Sequence, residues 1–282
     1  MEKEQQPIKP TVLDYNDIVK LVPRLEGHET LVNSLLRFLS VDKVNDVHRR
    51  FCDTPGPEFV RRMLFDGFHI KLRIDNEQLL DNLPQGAFIT VSNHPFGALD
   101  GITLIHLIAS RRPEYKVMVN MVLNQISAMR PNFIAVDALA SNDPAKKQVS
   151  MKGIREVIKQ VRSGNPVGFF PAGAVSKVNL RGELNDREWQ PTVVRLIEQL
   201  RVPVLPIYFH GSNSWWFNFL GLVSWQLRTL RLPAEVFRKI GKEIHVSVGD
   251  FISVEEQKAH QGSTAEFGEF LKEKTYELRK CK

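Results

Sequence analysis

The sequence predicts an α/β fold: a mixed, largely parallel sheet flanked by helices, with an amino-terminal helical cap. Short apolar runs of strand length alternate with amphipathic runs of helix length. Most strand-like runs end in Gly, Pro, Asn or Asp, where a chain turns. With 282 residues, 43% of them hydrophobic and 25% charged, the chain is long enough to bury a sizeable core. Residues 1–66 read as a helical segment and 67–282 as an α/β domain, the two packing as one compact unit.

Taken in order, residues 11–50 read as helical. Ile18, Leu21, Val22 and Leu25 form one apolar set, and Leu31, Leu35, Leu36 and Leu39 a second. Pro23 and Gly27 interrupt the first, so two short helices are expected. The leucine spacing favours a cap on the core over a lipid-facing surface. Phe68, Ile70, Leu72 and Ile74 alternate as one face of a strand. Residues 87–91 read as a buried strand and 102–109 as the helix that follows. Strands at 116–120 and 133–137 come next, with a short helix or loop over 123–129. Asn142-Asp143-Pro144 starts a helix whose buried stripe is Val149, Ile154, Val157, Ile158 and Val161. Residues 167–170 form a strand, 177–190 a polar loop and 192–200 a helix. Pro203 and Pro206 place the strand at 202–209 at an edge, or at a strand start. A strand at 244–248 and a helix at 263–280 close the chain.

The stretch Val91-Ser92-Asn93-His94-Pro95-Phe96-Gly97-Ala98-Leu99-Asp100-Gly101 joins a strand end to a helix start. Such junctions collect reactive groups in α/β proteins. A histidine there can act as a base near neutral pH, and a nearby aspartate can fix its tautomer. A turn hydrogen bond is the competing reading of His94 and Asp100.

Asn93-His94 with Asp100, then 133–137, then Phe170-Pro171-Ala172-Gly173-Ala174-Val175-Ser176, then Val202-Pro203-Val204-Leu205-Pro206-Ile207 resemble the four blocks of the glycerolipid (lysophosphatidate) acyltransferase superfamily. The resemblance covers about residues 70–210. The phrases around His94 and Ala172 look most like a bacterial, hemolysin-like branch that includes acyltransferases making ornithine or glycine aminolipids. The superfamily's first block has one residue fewer between His and Asp, and Gly97 can absorb the extra one. In the third block, Ala172, Ala174 and Val175 stand where the superfamily has Glu, Thr and Arg, polar residues associated with a glycerol-phosphate acceptor. Their replacement makes another headgroup the expected acceptor. 1-Acylglycerol-3-phosphate acylation and an inactive lipid-binding module are the alternatives.

The reaction this resemblance implies is acyl transfer from a thioester, on acyl carrier protein or coenzyme A, to the hydroxyl of a lyso-lipid, with no other cofactor and no metal. His94 would be the general base and Asp100 its orienting partner. No Gly-x-Ser-x-Gly nucleophile is present, so no acyl-enzyme is expected. Backbone N–H groups around Gly173 are oxyanion candidates, with a simple turn as the competing reading. Asn93, Gly97, Asn120, Ser176, Lys177 and Arg181 are further substrate-binding candidates. The remaining histidines have no metal-ligand spacing and read as structural or surface groups.

Residues 214–228 hold three of the four tryptophans. From 215 to 242, Arg228, Arg231, Arg238, Lys239 and Lys242 face one acid, Glu235. Trp215, Trp216, Phe217, Phe219, Trp225, Arg228 and Arg231 therefore read as an interfacial segment on anionic lipid. A core helix with a solvated face is the alternative. A net charge of +6 agrees with anionic partners, lipid or an acidic carrier protein. No nucleic-acid motif accompanies it. The charged amino terminus is not a signal peptide, and no apolar run approaches the ~20 residues of a membrane span. Cys52 and Cys281 stand far apart and suggest no disulfide. A cytoplasmic protein, peripheral on the inner face of the membrane, is the expected setting.

Overall fold

The computed structural model describes residues 8–137, 144–178, 184–260 and 262–280. Its strands are β1 (Lys71–Asp75), β2 (Ile89–Ser92), β3 (Lys116–Asn120), β4 (Phe133–Val136), β5 (Val167–Phe169), β6 (Lys177–Val178), β7 (Leu184–Asn185), β8 (Val204–His210) and β9 (Glu243–Val248). Its helices are α1 (Tyr15–Leu21), α2 (Glu29–Phe38), α3 (Val41–Phe51), α4 (Pro57–Arg62), α5 (Ala98–Ala109), α6 (Pro144–Arg162), α7 (Pro191–Leu200), α8 (Trp215–Val223), α9 (Trp225–Leu230), α10 (Leu232–Phe237), α11 (Val254–Ala259) and α12 (Thr264–Glu277).

Seven strands form one sheet in the order β1-β9-β8-β2-β5-β3-β4, and β6 and β7 form a separate ribbon. From β8 to β4 every neighbouring pair is parallel. β9 runs antiparallel to β8 and parallel to β1. The fold is thus the mixed, largely parallel α/β sheet that the segment order predicts. The central strands are apolar on both faces because helices cover both. On one face Phe88, Leu205, Ile207 and Phe209 pack with Leu104 and Ile108 of α5, and with Val47, Phe59, Val60 and Leu64 of the amino-terminal helices. On the other, Ile89, Val91 and Phe169 pack with Val157 of α6, Ile197 of α7 and Phe267 and Leu271 of α12.

Three expectations need correction. The leucines of α2 do not form a buried stripe: Val32 and Leu36 are buried, whereas Leu31 and Leu35 are exposed. Leu21, Val22 and Phe38 join them at the surface. A helix on the rim needs only a narrow buried seam, and Val32 and Leu36, four apart, supply it. Second, β8 is central, although Pro206 lies within it. The Pro206 carbonyl accepts from Gly249, so the edge of Pro206 that lacks an N–H faces β9. The final paired residue of β9 is Val248, opposite Ile207, so the missing donor falls just beyond the ladder. Third, the strand at Phe68 begins later, at Lys71. Phe68 ends a helical turn, and His69 has φ +51°, which breaks the extended run before it starts.

Candidate active site

β2 opens into Asn93-His94-Pro95-Phe96-Gly97, and α5 begins at Ala98. Asp100 sits in the first turn of α5. Its Oδ2 accepts the backbone N–H of Phe96 at 2.8 Å and of Gly97 at 2.9 Å, so the carboxylate caps its own helix. The same oxygen lies 3.0 Å from His94 Nδ1. The approach is close but poorly aligned, and neither Nδ1 nor Asp100 Oδ1 has a well-formed hydrogen bond. Pairs of this kind often align only around bound substrate. Asp100 is fully buried, while the His94 side chain keeps 18% of its surface exposed. Burial pushes the Asp100 carboxyl up from the usual range, and the facing imidazole and two N–H donors pull it part of the way back.

Gly97 makes this arrangement possible. Its φ of +86° is a conformation that L side chains rarely adopt. A Cβ there would meet Leu232 Cδ2 at 2.8 Å and Val175 Cγ2 at 3.3 Å, so two other segments close on this turn.

The segment after β5 returns to the histidine. The rings of Phe170 and His94 stack at 4.2 Å with 29° between planes. The Ser176 N–H donates to the His94 carbonyl at 2.8 Å. Asp186 braces both residues: its Oδ1 accepts the Ser176 hydroxyl at 2.6 Å and the His94 N–H at 3.3 Å. The Asp186 N–H donates to the Tyr276 hydroxyl at 2.8 Å. Burial pushes the Asp186 carboxyl up, and the Ser176 hydroxyl offsets this.

Arg228 of α9 reaches into the same corner. Its Nη2 donates to the carbonyls of Val175 at 2.9 Å and Ser176 at 2.5 Å, and its guanidinium lies 4.6 Å from the centre of the Phe217 ring. Burial and the charge of Arg187 bring its pKa down to about 10, which leaves it a cation at neutral pH. Among the described residues no carboxylate pairs with it. Lys177 lies within the influence of both Arg187 and Arg228, and its pKa is lowered by burial and by these two charges. A positive cluster therefore stands beside His94.

The other candidates divide. Asn93 is buried and locks β2 to β8, with its amide donating to the Phe209 carbonyl at 2.9 Å and accepting the Phe209 N–H at 2.7 Å. That pairing leaves it a positioning role instead of substrate contact. Asn120 ends β3, two strands from β2, and accepts the Val122 N–H at 2.9 Å as a cap. The Gly173 N–H is spent on the Phe170 carbonyl at 2.9 Å, so it is not an oxyanion donor in this geometry. A Cβ at Gly173 would collide with the Gln190 amide, which gives this glycine a packing reason. Ser176 is buried beside the histidine, and Lys177 is exposed next to it. Arg181 lies outside the described residues, as do Cys281 and the helix start at Asn142-Asp143.

On the surface, Trp215, Trp216, Phe219 and Trp225 are exposed, as are Leu222, Val223, Leu227 and Leu230. Phe217 and Arg228 are not: they turn inward and pack on each other, which corrects their reading as interfacial residues. Arg231 is half-buried. No helix of the described residues is long and apolar enough to cross a membrane. Phe170, Asp186 and the inward Arg228 were not legible as site residues. Asp186 is 92 residues from His94, and no motif spacing connects them.

The α/β sheet and the His–Asp turn at the end of a parallel strand are found together with a family match. A family model described as acyltransferase matches residues 20–282, and the chain belongs to that family. Two relatives cover nearly all of it. The chain is 26% identical over 271 residues to the lyso-glycine lipid O-acyltransferase of Phocaeicola vulgatus, covering 92% of this chain and 89% of that protein. It is 25% identical over 261 residues to the lyso-glycine lipid O-acyltransferase of Bacteroides thetaiotaomicron, covering 88% and 89%. The solved structure of the 1-acyl-sn-glycerophosphate (LPA) acyltransferase PlsC from Thermotoga maritima shares the fold, with a TM-score of 0.50, 12% identity and coverage of 79% of this chain and 76% of that one. The protein is an acyltransferase.

Proposed function

We propose that this acyltransferase moves a fatty acyl group from an acyl thioester to the hydroxyl of a lyso-aminolipid of the glycine type, working at a membrane surface. The observation that carries the reading is the His94–Asp100 pair, 3.0 Å apart beside the basic residues Arg228 and Lys177, in a chain whose two full-length relatives bear lyso-glycine lipid names. His94 Nε2 takes the proton of the acceptor hydroxyl as its oxygen attacks the thioester carbonyl. Asp100 stabilises the imidazolium. Collapse of the tetrahedral intermediate breaks the C–S bond, and the imidazolium returns the proton to the leaving thiolate. Acyl carrier protein and coenzyme A both present such a thioester on an anionic carrier.

Arg228, Lys177 and Arg187 support an anionic acceptor. A glycine headgroup bound through its nitrogen leaves a free carboxylate, which a guanidinium grips well. Val175 and Ala172 are apolar where a glycerol-phosphate acyltransferase of the superfamily carries charged residues, which argues against lysophosphatidate as the principal acceptor. The exposed tryptophans of α8 and α9 and the apolar rim of α2 suit a protein seated on lipid.

The test is direct. Purified protein, vesicles carrying a lyso-glycine lipid and an acyl thioester should yield the diacyl lipid and a free thiol in equal amounts. Faster turnover of lysophosphatidate, or no transfer from either thioester carrier, would overturn the assignment.

A further inference from the structure

β1, β9 and β8 lie side by side, and their register decides which side chains share a face. Asp75 pairs with Ser247, and His210 pairs with His245. Ile244, Val246 and Val248 turn into the core shared with α5, so His245 and Ser247 point to the opposite face. Three potential ligands meet there. One donor atom each from Asp75, His210 and His245 lies within 4.8 Å of the other two. His245 Nε2 is 2.5 Å from Asp75 Oδ2, and the Ser247 hydroxyl donates to that same oxygen at 2.7 Å. His210 Nε2 meets the Ser247 hydroxyl at 2.7 Å. The two imidazoles stack at 4.0 Å, only 11° from parallel.

We propose that Asp75, His210 and His245 bind one zinc ion, with water in the fourth position. Two imidazoles and a carboxylate are a donor set that suits zinc, in tetrahedral geometry. Ligand atoms around a tetrahedral zinc stand about 3.3 Å apart, given bonds of roughly 2.0 Å. Each imidazole holds a metal in the plane of its own ring, so one of the two stacked rings turns out of the stack as the three donors close to that spacing. Three hydrogen-bonded strands hold the ligands, so little backbone ordering remains to be done on binding. Ser247 would stay in contact with a ligand carboxylate, as outer partners of metal ligands do.

The ion would pin β1 and β9 to β8. The pin sits one residue beyond Phe209, whose backbone Asn93 grips next to His94. This inference stands apart from the acyl-transfer reading, and its test does not use activity.

Tag-free, chelator-stripped protein is titrated with cobalt(II), whose visible bands report tetrahedral coordination, and then competed with zinc. Saturation at one cobalt per chain, displacement by zinc and a higher melting temperature are expected. His245→Ala and Asp75→Asn should each weaken cobalt binding by at least about tenfold. His28→Ala, at an exposed position, should bind as the unaltered protein does. Absence of saturable cobalt binding by the unaltered protein overturns the proposal, whether or not the variants fold. Binding that survives unchanged in both variants overturns it as well.

Discussion

Arg228 donates to the carbonyl of Ser176, which places a buried cation against the residue whose N–H holds His94. Among the described residues the guanidinium keeps its charge without a carboxylate partner, an arrangement that favours an incoming anion. Arg228→Ala should raise KM for the acceptor by about 10- to 100-fold, from the ~1.5–3 kcal/mol of a charge-assisted hydrogen bond. KM for the thioester should change less than about twofold. Arg228→Lys should restore charge but not the fork, and recover only part of the loss. Equal effects on both substrates would show that Arg228 holds the fold and not the headgroup.

Gly97 is the hinge of the turn. Gly97→Ala forces a Cβ onto Leu232 at a φ of +86°. A loss of about 1–3 kcal/mol in denaturant unfolding is expected, together with reduced turnover. A silent substitution would mean that the turn relaxes more freely than its packing suggests.

Trp215 and Phe219 are exposed and stack on each other at 5.4 Å, whereas Phe217 between them is buried. Trp215→Ser with Phe219→Ser should leave unfolding unchanged and cut binding to anionic vesicles by about tenfold or more, because each ring gives up apolar surface to water. Phe217→Ser should do the reverse and cost about 3–5 kcal/mol of stability. Co-sedimentation and denaturant titration read the two effects separately.

His48 ties the chain before α1 to the body. Its Nδ1 lies 3.0 Å from the Pro10 carbonyl, and its Nε2 faces Ser127 and Ala128. Burial pushes its pKa below the usual 6.5; the Pro10 carbonyl pulls it up and the charge of Arg130 pushes it down. The unfolded chain therefore takes up this proton first as the pH falls. The contribution of His48 is complete above about pH 6.5 and is lost as the pH drops through that value toward the lower folded one. Melting curves across this window should show the loss, and His48→Gln should flatten it.

The sequence carried the order of strands and helices because apolar periodicity and turn residues are local signals. It carried His94 and Asp100 because both lie in one turn. What it could not carry came from packing across the fold. Leu31 and Leu35 keep a helical period, yet only the seam of Val32 and Leu36 is covered. Pro206 reads as an edge signal until β9 is seen to stop at Val248. Arg228 reads as part of a lipid-facing run, but its helix turns it inward. Asp75, His210 and His245 meet only through the register of three strands, so no sequence spacing announces them.

The central claim is that His94 removes the proton of the acceptor hydroxyl. The measurement that tests it most directly is kcat for acyl transfer to lyso-glycine lipid by His94→Ala, with unfolding followed in the same preparation. A fall of about 10²- to 10⁴-fold at unchanged stability is predicted. Turnover within about twofold of the unaltered protein would contradict the account.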